Sequence, residues 1–418
     1  MKPSPIKKSY TGLVDCNNFF VSCERLFRPD LQKKPVLVLS SNDGCVISRS
    51  NEVKALGIPM GIPHFEIKDS IKKNEITVFS SNFALYRDIS ARVMETLASL
   101  VDDIEVYSID EAFFTVEVEH AHTVGTAIRQ RIGSWIGIPV SVGIAETKTL
   151  AKYAGSIAKK NEGVSILNRK DVSQLYAVQL IELWGVGRKT SERLSALSIT
   201  TVGDVLSHGS TRMHTYLGVV GERLYFELAG IPSIMNPSDD VQQSIMSTRS
   251  FGKKTSLYTI VEDAVSYHLA HTAEKLRKRD WVATGAYMQL RYTDTEERVR
   301  YVSYKVEFES PTSSTPLMAR ALLLTLKFYF NPRYTYEKAG VVLFGISKTT
   351  DATMSLFNSE SGKEMISIMK VFDSINKKYG SDTMRIGTLG HNHEWRSKTA
   401  FLSQSYTTSW TELPIVQG

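Results

Sequence analysis

The tightest constraint in this chain is a run of eight residues, YSIDEAFF at 107–114, in which two adjacent carboxylates interrupt an apolar stretch. Residues 104–118 alternate like two strands, so Asp110 and Glu111 fall at the centre of a hairpin. Charges in such a place are costly unless something compensates them. The segments around the hairpin say what sheet it belongs to. Residues 10–16 read as a short buried strand ending in a carboxylate, Asp15, and residues 35–40 as a second apolar strand. Residues 51–56 have helical character and stop at Gly57, with Pro59 beyond. Residues 86–100 read as a helix with Ile89, Val93, Leu97 and Leu100 on one face, 123–135 as another helix, and 139–144 as a strand. The order is strand, helix, strand pair, helix, strand. That is a ferredoxin-like split βαββαβ sheet of the α/β (α+β) class, with an insertion after its first strand.

In a split sheet of this kind the first strand lies beside the hairpin, which brings Asp15 next to Asp110 and Glu111. Two Mg²⁺ ions about 4 Å apart would compensate three such carboxylates and clamp an in-line phosphoryl displacement. Magnesium suits a site of a few carboxylates completed by substrate phosphate oxygens. One ion would activate a 3′-hydroxyl and the other hold a triphosphate. The plainer alternative is three surface acids at strand ends.

The second half of the chain carries the charge. Residues 241–350 hold 16 basic against 10 acidic residues, whereas 1–240 hold 27 of each and 351–418 hold 7 of each, so the whole net charge of +6 lies in one segment. Such asymmetry suits a phosphate backbone, since each cation that neutralises a phosphate releases a counterion. Before it, residues 173–230 look helical with GVG and LAG breaks, and 231–243 have the composition of a linker. The basic segment itself reads as strand 244–251, helix 262–279, strands 284–292 and 299–308, helix 316–328 and strand 338–346: a second small α/β module. No apolar run approaches the roughly 20 residues of a membrane helix, so no membrane partner is expected. The polar start suggests no secretory signal, and three cysteines (Cys16, Cys23 and Cys45) without metal spacing suggest a reducing cytoplasm.

With these residues in place the sequence resembles the Y-family DNA polymerases, specifically the UmuC type, along the whole chain. The run DCNNFFVSCE from Asp15 to Glu24 is similar to the family's first motif, and SIDEA from Ser108 to Ala112 matches its catalytic hairpin. The resemblance implies a right-handed polymerase: palm at 1–18 and 86–172, small fingers at 19–85, a helical thumb with a helix-hairpin-helix at 173–240, an α/β little finger at 241–350 and a C-terminal extension at 351–418. It implies that Asp15, Asp110 and Glu111, with the backbone carbonyl of Cys16, bind the two Mg²⁺ ions. It places Phe19 and Phe20 beside the nucleotide, Phe20 as the ring that excludes a ribose 2′-hydroxyl and Phe19 as packing. Lys54 and Lys148 match basic positions at the incoming triphosphate, and Tyr86 a motif near the nucleotide.

Gly185 and Gly187, followed by Arg188 and Lys189, resemble the turn of a helix-hairpin-helix, where glycines let the backbone approach a phosphate. Arg249, Lys253 and Lys254 begin the basic module and are expected on duplex DNA. Met354, Leu356 and Phe357 resemble a peptide that docks on the sliding clamp. The resemblance implies error-prone translesion synthesis on primer-template DNA with dNTPs, in an SOS-type response, with a UmuD′-like partner and RecA. A nucleotide cyclase sharing the palm, or a non-catalytic DNA-binding scaffold, are the alternative readings.

Overall fold

The computed structural model describes residues 9–168, 175–235, 242–351, 360–380, 383–385, 395 and 398–414. The chain divides into two units: residues 1–40, 44–237 and 401–418 form the first, and 41–43 with 238–400 the second. No helix among the described residues is long and apolar enough to cross a membrane.

The first unit begins with β1 (Ser9–Cys16), whose Leu13, Val14 and Cys16 are buried. Asn18, in the left-handed conformation that Asn tolerates better than most residues, turns the chain sharply into α1 (Phe19–Phe27). Then come β2 (Val36–Leu39), β3 (Val46–Arg49), α2 (Asn51–Ala55), α3 (Lys68–Lys73) and β4 (Thr77–Ser80). Here β2 runs antiparallel to β3 and parallel to β4, making a small three-stranded sheet. Ser50 caps α2 by accepting from the Val53 amide. The chain returns through α4 (Phe83–Ala98), β5 (Ile104–Val106), β6 (Glu111–Glu117), α5 (Ala121–Trp135), β7 (Val140–Ala145), α6 (Lys148–Ala158) and β8 (Val164–Ile166).

The larger sheet has the order β5-β6-β1-β7-β8. Its first four strands are the split βαββαβ arrangement expected from the sequence, and β8 adds a parallel fifth strand after α6. Strand alternation sorts the faces. Val14, Cys16, Ala112 and Phe114 pack with Ile89 and Val93 of α4 and Ile128 of α5. Leu13 and Phe113 pack with Leu150 and Ala151 of α6. Gly143 is required where α6 crosses β7: a Cβ there would stand 2.1 Å from the Gly155 amide nitrogen. Further helices follow in this unit, among them α7 (Arg188–Ser195), α8 (Val202–Leu217, kinked at Gly209) and α9 (Val219–Leu228).

The second unit holds β9 (Ser244–Thr255), α10 (Tyr258–Arg277), β10 (Trp281–Thr293), β11 (Val299–Thr312), α11 (Thr315–Tyr329), β12 (Thr335–Lys348) and α12 (Glu360–Tyr379). Its antiparallel sheet has the order β11-β10-β12-β9. One face is covered, with Ala286, Met288, Val306 and Leu343 packing against Val265 and Leu269 of α10 and Leu322 and Leu326 of α11. The strands run longer than the sequence suggests. The basic run Lys275–Arg279 lies at the C-terminal end of α10. Arg277 is buried, donates to the Ser313 carbonyl and Thr315 hydroxyl at 2.8 Å, and pairs with Asp373 of α12 at 2.6 Å.

Candidate active site

Asp15 stands directly opposite Glu111 across the β1–β6 pair. The Cys16 amide donates to the Asp110 carbonyl at 2.9 Å, and the Asn17 amide to the Pro139 carbonyl at 2.8 Å, so the end of β1 is held from both sides. By strand alternation Asp15 and Glu111 continue the face of Leu13 and Phe113, the face that meets α6. Burial pushes the Asp15 carboxyl up to about 6; Lys159 pulls it down and Glu111 pushes it further up. Asp110 accepts from the Ser108 hydroxyl at 2.6 Å and lines the same cleft as Asp15. Among the described residues no three His, Cys, Asp or Glu side chains form a metal-holding group. The donor set of carboxylates and one backbone carbonyl nonetheless fits a hard cation such as Mg²⁺. Burial raises the Cys16 thiol well above its ordinary value.

Cations from α6 meet these carboxylates. Lys152 bonds Glu111 at 3.0 Å, and Lys159, the residue that ends the helix, bonds Asp15 at 2.6 Å. Lys148 reaches instead to Glu105 on β5, at 2.5 Å. The sequence reading singled out Lys148 and passed over Lys152 and Lys159. The signal was present: at 3.6 residues per turn, positions 148, 152 and 159 fall within about 40° of one another on a helix. Lys152 also stands over the rings of Tyr107 and Trp184, 4.6 and 4.9 Å from their centroids.

A cleft of about 350 Å³ opens beside Asp15, lined among others by Cys16, Phe20, Arg49, Lys54 and Lys159. Three cations therefore border one cavity. Burial, with the charges of Arg49 and Lys159, lowers the Lys54 ammonium from its ordinary value. Arg49 is a third residue that the sequence reading does not single out. A neighbouring cleft of about 290 Å³ holds Asp15, Glu111, Lys152, Lys159 and Trp184.

Phe19 is buried in the core and edges the larger cleft, while Phe20 is half-buried and presents its ring there. Phe20 stacks on Tyr86, centroids 4.4 Å apart and rings 15° from parallel. Tyr86 is fully buried, and its hydroxyl donates to Glu24 at 2.7 Å. It stands behind Phe20 and is not among the residues lining the cleft.

Gly185 has φ +84°, a conformation that favours glycine, and Gly187 is the N-cap of α7, whose first residues are Arg188 and Lys189. Glu227 of α9 accepts from the Thr149 amide at 3.0 Å, so that helix holds the start of α6. In the second unit, Arg249 pairs with Ala339 and, like Ser247 two residues before it, belongs to the helix-covered face. Burial depresses His268 and His271 of α10, and the Arg249 charge adds to it. Lys254 pairs with Glu337 at 2.5 Å. The register places Lys305, Arg291 and Lys338 on the open face of the sheet, with Tyr287, Gln289 and Tyr301. Met354, Leu356 and Phe357 lie outside the described residues.

Residues 14–156 match the model of the impB/mucB/samB family, and 242–356 that of the impB/mucB/samB family C-terminal domain. Residues 367–416 match a domain of unknown function, DUF4113. The chain is 36% identical to protein ImpB and 35% identical to protein UmuC, both of Salmonella typhimurium, over 97% and 96% of this chain and 99% of each relative. It is 27% identical to DNA polymerase IV 1 of Bacillus subtilis over 94% of this chain and 96% of that protein. In structure it is similar to a chimera of the Y-family DNA polymerases Dbh and Dpo4. The TM-score is 0.65 at 21% identity, over 81% of this chain and 99% of the other. An insertion ternary complex of Dbh DNA polymerase superposes with a TM-score of 0.54 at 20% identity, over 81% of this chain and 99% of the other. Near-full-length identity to ImpB and UmuC, on a Y-family fold whose palm-like sheet holds Asp15 beside Glu111, establishes that the chain belongs to the impB/mucB/samB family, the UmuC-type Y-family DNA polymerases, and is a DNA-directed DNA polymerase of damage tolerance.

Proposed function

We propose that the chain adds dNTPs to a primer 3′ end by phosphoryl transfer supported by two Mg²⁺ ions, in error-prone SOS-type translesion synthesis. The observation that carries this reading is the Asp15–Glu111 pair, with Lys152 and Lys159 upon it and a cationic cleft beside it. Asp15, Asp110, Glu111 and the Cys16 carbonyl would hold the ions. When bound, these would lower the pKa of the attacking hydroxyl and stabilise charge on the reacting phosphate. Lys159 and Lys54, with Arg49, would take the β- and γ-phosphates as compact charges. The lysines now on the carboxylates act as counterions that metal and triphosphate would relieve. Phe20 would set its ring against the deoxyribose. No covalent enzyme intermediate is required; positioning and electrostatics supply the catalysis.

On this reading the five-stranded sheet is the palm, with boundaries at 1–18 and 86–172. The small three-stranded sheet lies in fingers at 19–85, the helices at 173–240 are the thumb, and 241–350 is the little finger. The turn at Gly185 and Gly187 with Arg188 and Lys189, and Arg291, Lys305 and Lys338 with Lys253 and Lys254, would meet duplex phosphates. Arg249 would act by supporting the sheet from its covered face. Lys148 would brace β5 through Glu105. A UmuD′-like protein, RecA and the sliding clamp are the proposed partners, the last through Met354, Leu356 and Phe357, in the cytoplasm.

Primer extension on intact and abasic templates tests the reading. We expect extension with Mg²⁺ and dNTPs, and passage of the abasic site with the UmuD′-like partner, activated RecA and clamp present. Extension of intact template that always stops one nucleotide before the abasic site, whatever is added, would contradict the bypass role.

A further inference from the structure

Residues 401–412, near the end of the chain, pack behind the wall of the nucleotide cleft within the first unit. Phe401 exchanges two bonds with Ser80 at the end of β4: its carbonyl accepts from the Ser80 amide at 2.9 Å, and its amide donates to the Ser80 hydroxyl at 3.0 Å. Asn82, which caps α4 by accepting from the Leu85 amide, donates to the Ser403 hydroxyl at 3.0 Å and the Gln404 carbonyl at 3.3 Å. Tyr406 stacks on Phe27 of α1, centroids 4.6 Å apart and rings 5° from parallel. The segment thus ties together the two helices that carry Phe20 and Tyr86.

One bond goes deeper. Glu24 of α1 is fully buried, and its Oε1 accepts from both the Tyr86 hydroxyl, at 2.7 Å, and the Ser403 hydroxyl, at 3.2 Å. Its other oxygen is buried with no hydrogen-bond partner. A buried carboxyl with so few partners is held only by those it has. Tyr86, fixed by Glu24, is the plate on which Phe20 stacks, and Phe83 meets both rings edge-on. The line of contact runs from the tail to the cleft: Ser403, Glu24, Tyr86, Phe20.

We propose that Ser403 and Glu24 are positioning residues for the Phe20 ring, so that the C-terminal segment sets how strictly the polymerase chooses deoxyribose over ribose. The inference rests on the reading of Phe20 as the ring that meets the sugar. It gives the tail a place in substrate selection.

The test is the ratio of kcat/KM for a dNTP to that for the matching rNTP, measured with the full chain and its Ser403→Ala, Ser403→Thr, Tyr86→Phe and Phe20→Ala variants. Phe20→Ala should abolish most of the preference. Ser403→Ala and Tyr86→Phe should each lower it by about three- to tenfold, the factor carried by one hydrogen bond. Ser403→Ala should keep its dNTP efficiency, because Ser403 touches no reacting atom. Ser403→Thr, which keeps the hydroxyl, should restore the preference. If Phe20→Ala changes nothing, the reading of Phe20 falls and this inference with it. If Phe20→Ala removes the preference while Ser403→Ala and Tyr86→Phe leave it intact, Phe20 keeps its role and the tail has none. A loss in Ser403→Ala that Ser403→Thr does not restore would also overturn the proposal.

Discussion

At the scale of single residues, buried carboxyls dominate. Glu24 is pushed up to about 7 by burial, although its bonds from Tyr86 and Ser403 pull it down. Its folded pKa is raised, so the stability linked to Glu24 is fully present below its ordinary value of 4.5 and is lost as pH rises to about 7. Replacing Glu24 by Gln removes that titration. Thermal or denaturant unfolding should show Glu24→Gln gaining on the native chain between pH 4.5 and pH 7, by up to about 3 kcal/mol. A mutant-to-native difference that is flat across that range would contradict the burial argument. The juxtaposition at the centre of the candidate site was legible at this scale. The apolar surroundings of Asp15, Asp110 and Glu111 made them stand out, and the structure sets Asp15 opposite Glu111. The lysines were harder to read, because a lysine is usually a solvated surface residue and only its helical phase marks it. That phase was available for Lys152 and Lys159. Nothing local marked Glu24 or Ser403, since their partnership spans 379 positions.

At the scale of elements, one helix decides the site. α6 is pressed so close to β7 that only glycine fits at Gly143. Gly143→Ala should push the helix outward, cost about 1–3 kcal/mol of stability and lower nucleotide addition, because Lys152 and Lys159 move with it. Unfolding and primer-extension assays on the same preparation check both effects. In the second unit, Arg277→Ala should destabilise the chain by about 3–5 kcal/mol, since it strands Asp373 and opens the bonds to Ser313 and Thr315; calorimetry reads this directly. Helices with clean apolar faces, such as α4 and α5, were readable from the sequence. α1 was not, because it begins directly after a strand with an aromatic pair that suits either element. β3, β4 and β8 have three or four residues each, too few for a period to show. The long strands of the second unit ran past their expected ends because polar alternation continues through residues such as Lys253 and Lys254.

At the scale of the molecule, charge is spread unevenly along the chain. The first unit concentrates opposite charges around one cleft, whereas residues 241–350 of the second carry an excess of cations. The open face bearing Arg291, Lys305 and Lys338 should bind duplex through its backbone, so affinity should fall with salt and depend little on sequence. Replacing all three by Gln should reduce the slope of log affinity against log salt by about 2–3, which fluorescence anisotropy can measure. An unchanged slope would move the duplex contact elsewhere. The central claim is that the paired carboxylates of the five-stranded sheet carry the chemistry. Its most direct test is primer extension by the native chain and by Asp15→Asn and Asp110→Ala, with duplex affinity measured on the same samples. The account predicts extension by the native chain, none by either variant, and unchanged duplex binding. Extension that persists in both variants would contradict it.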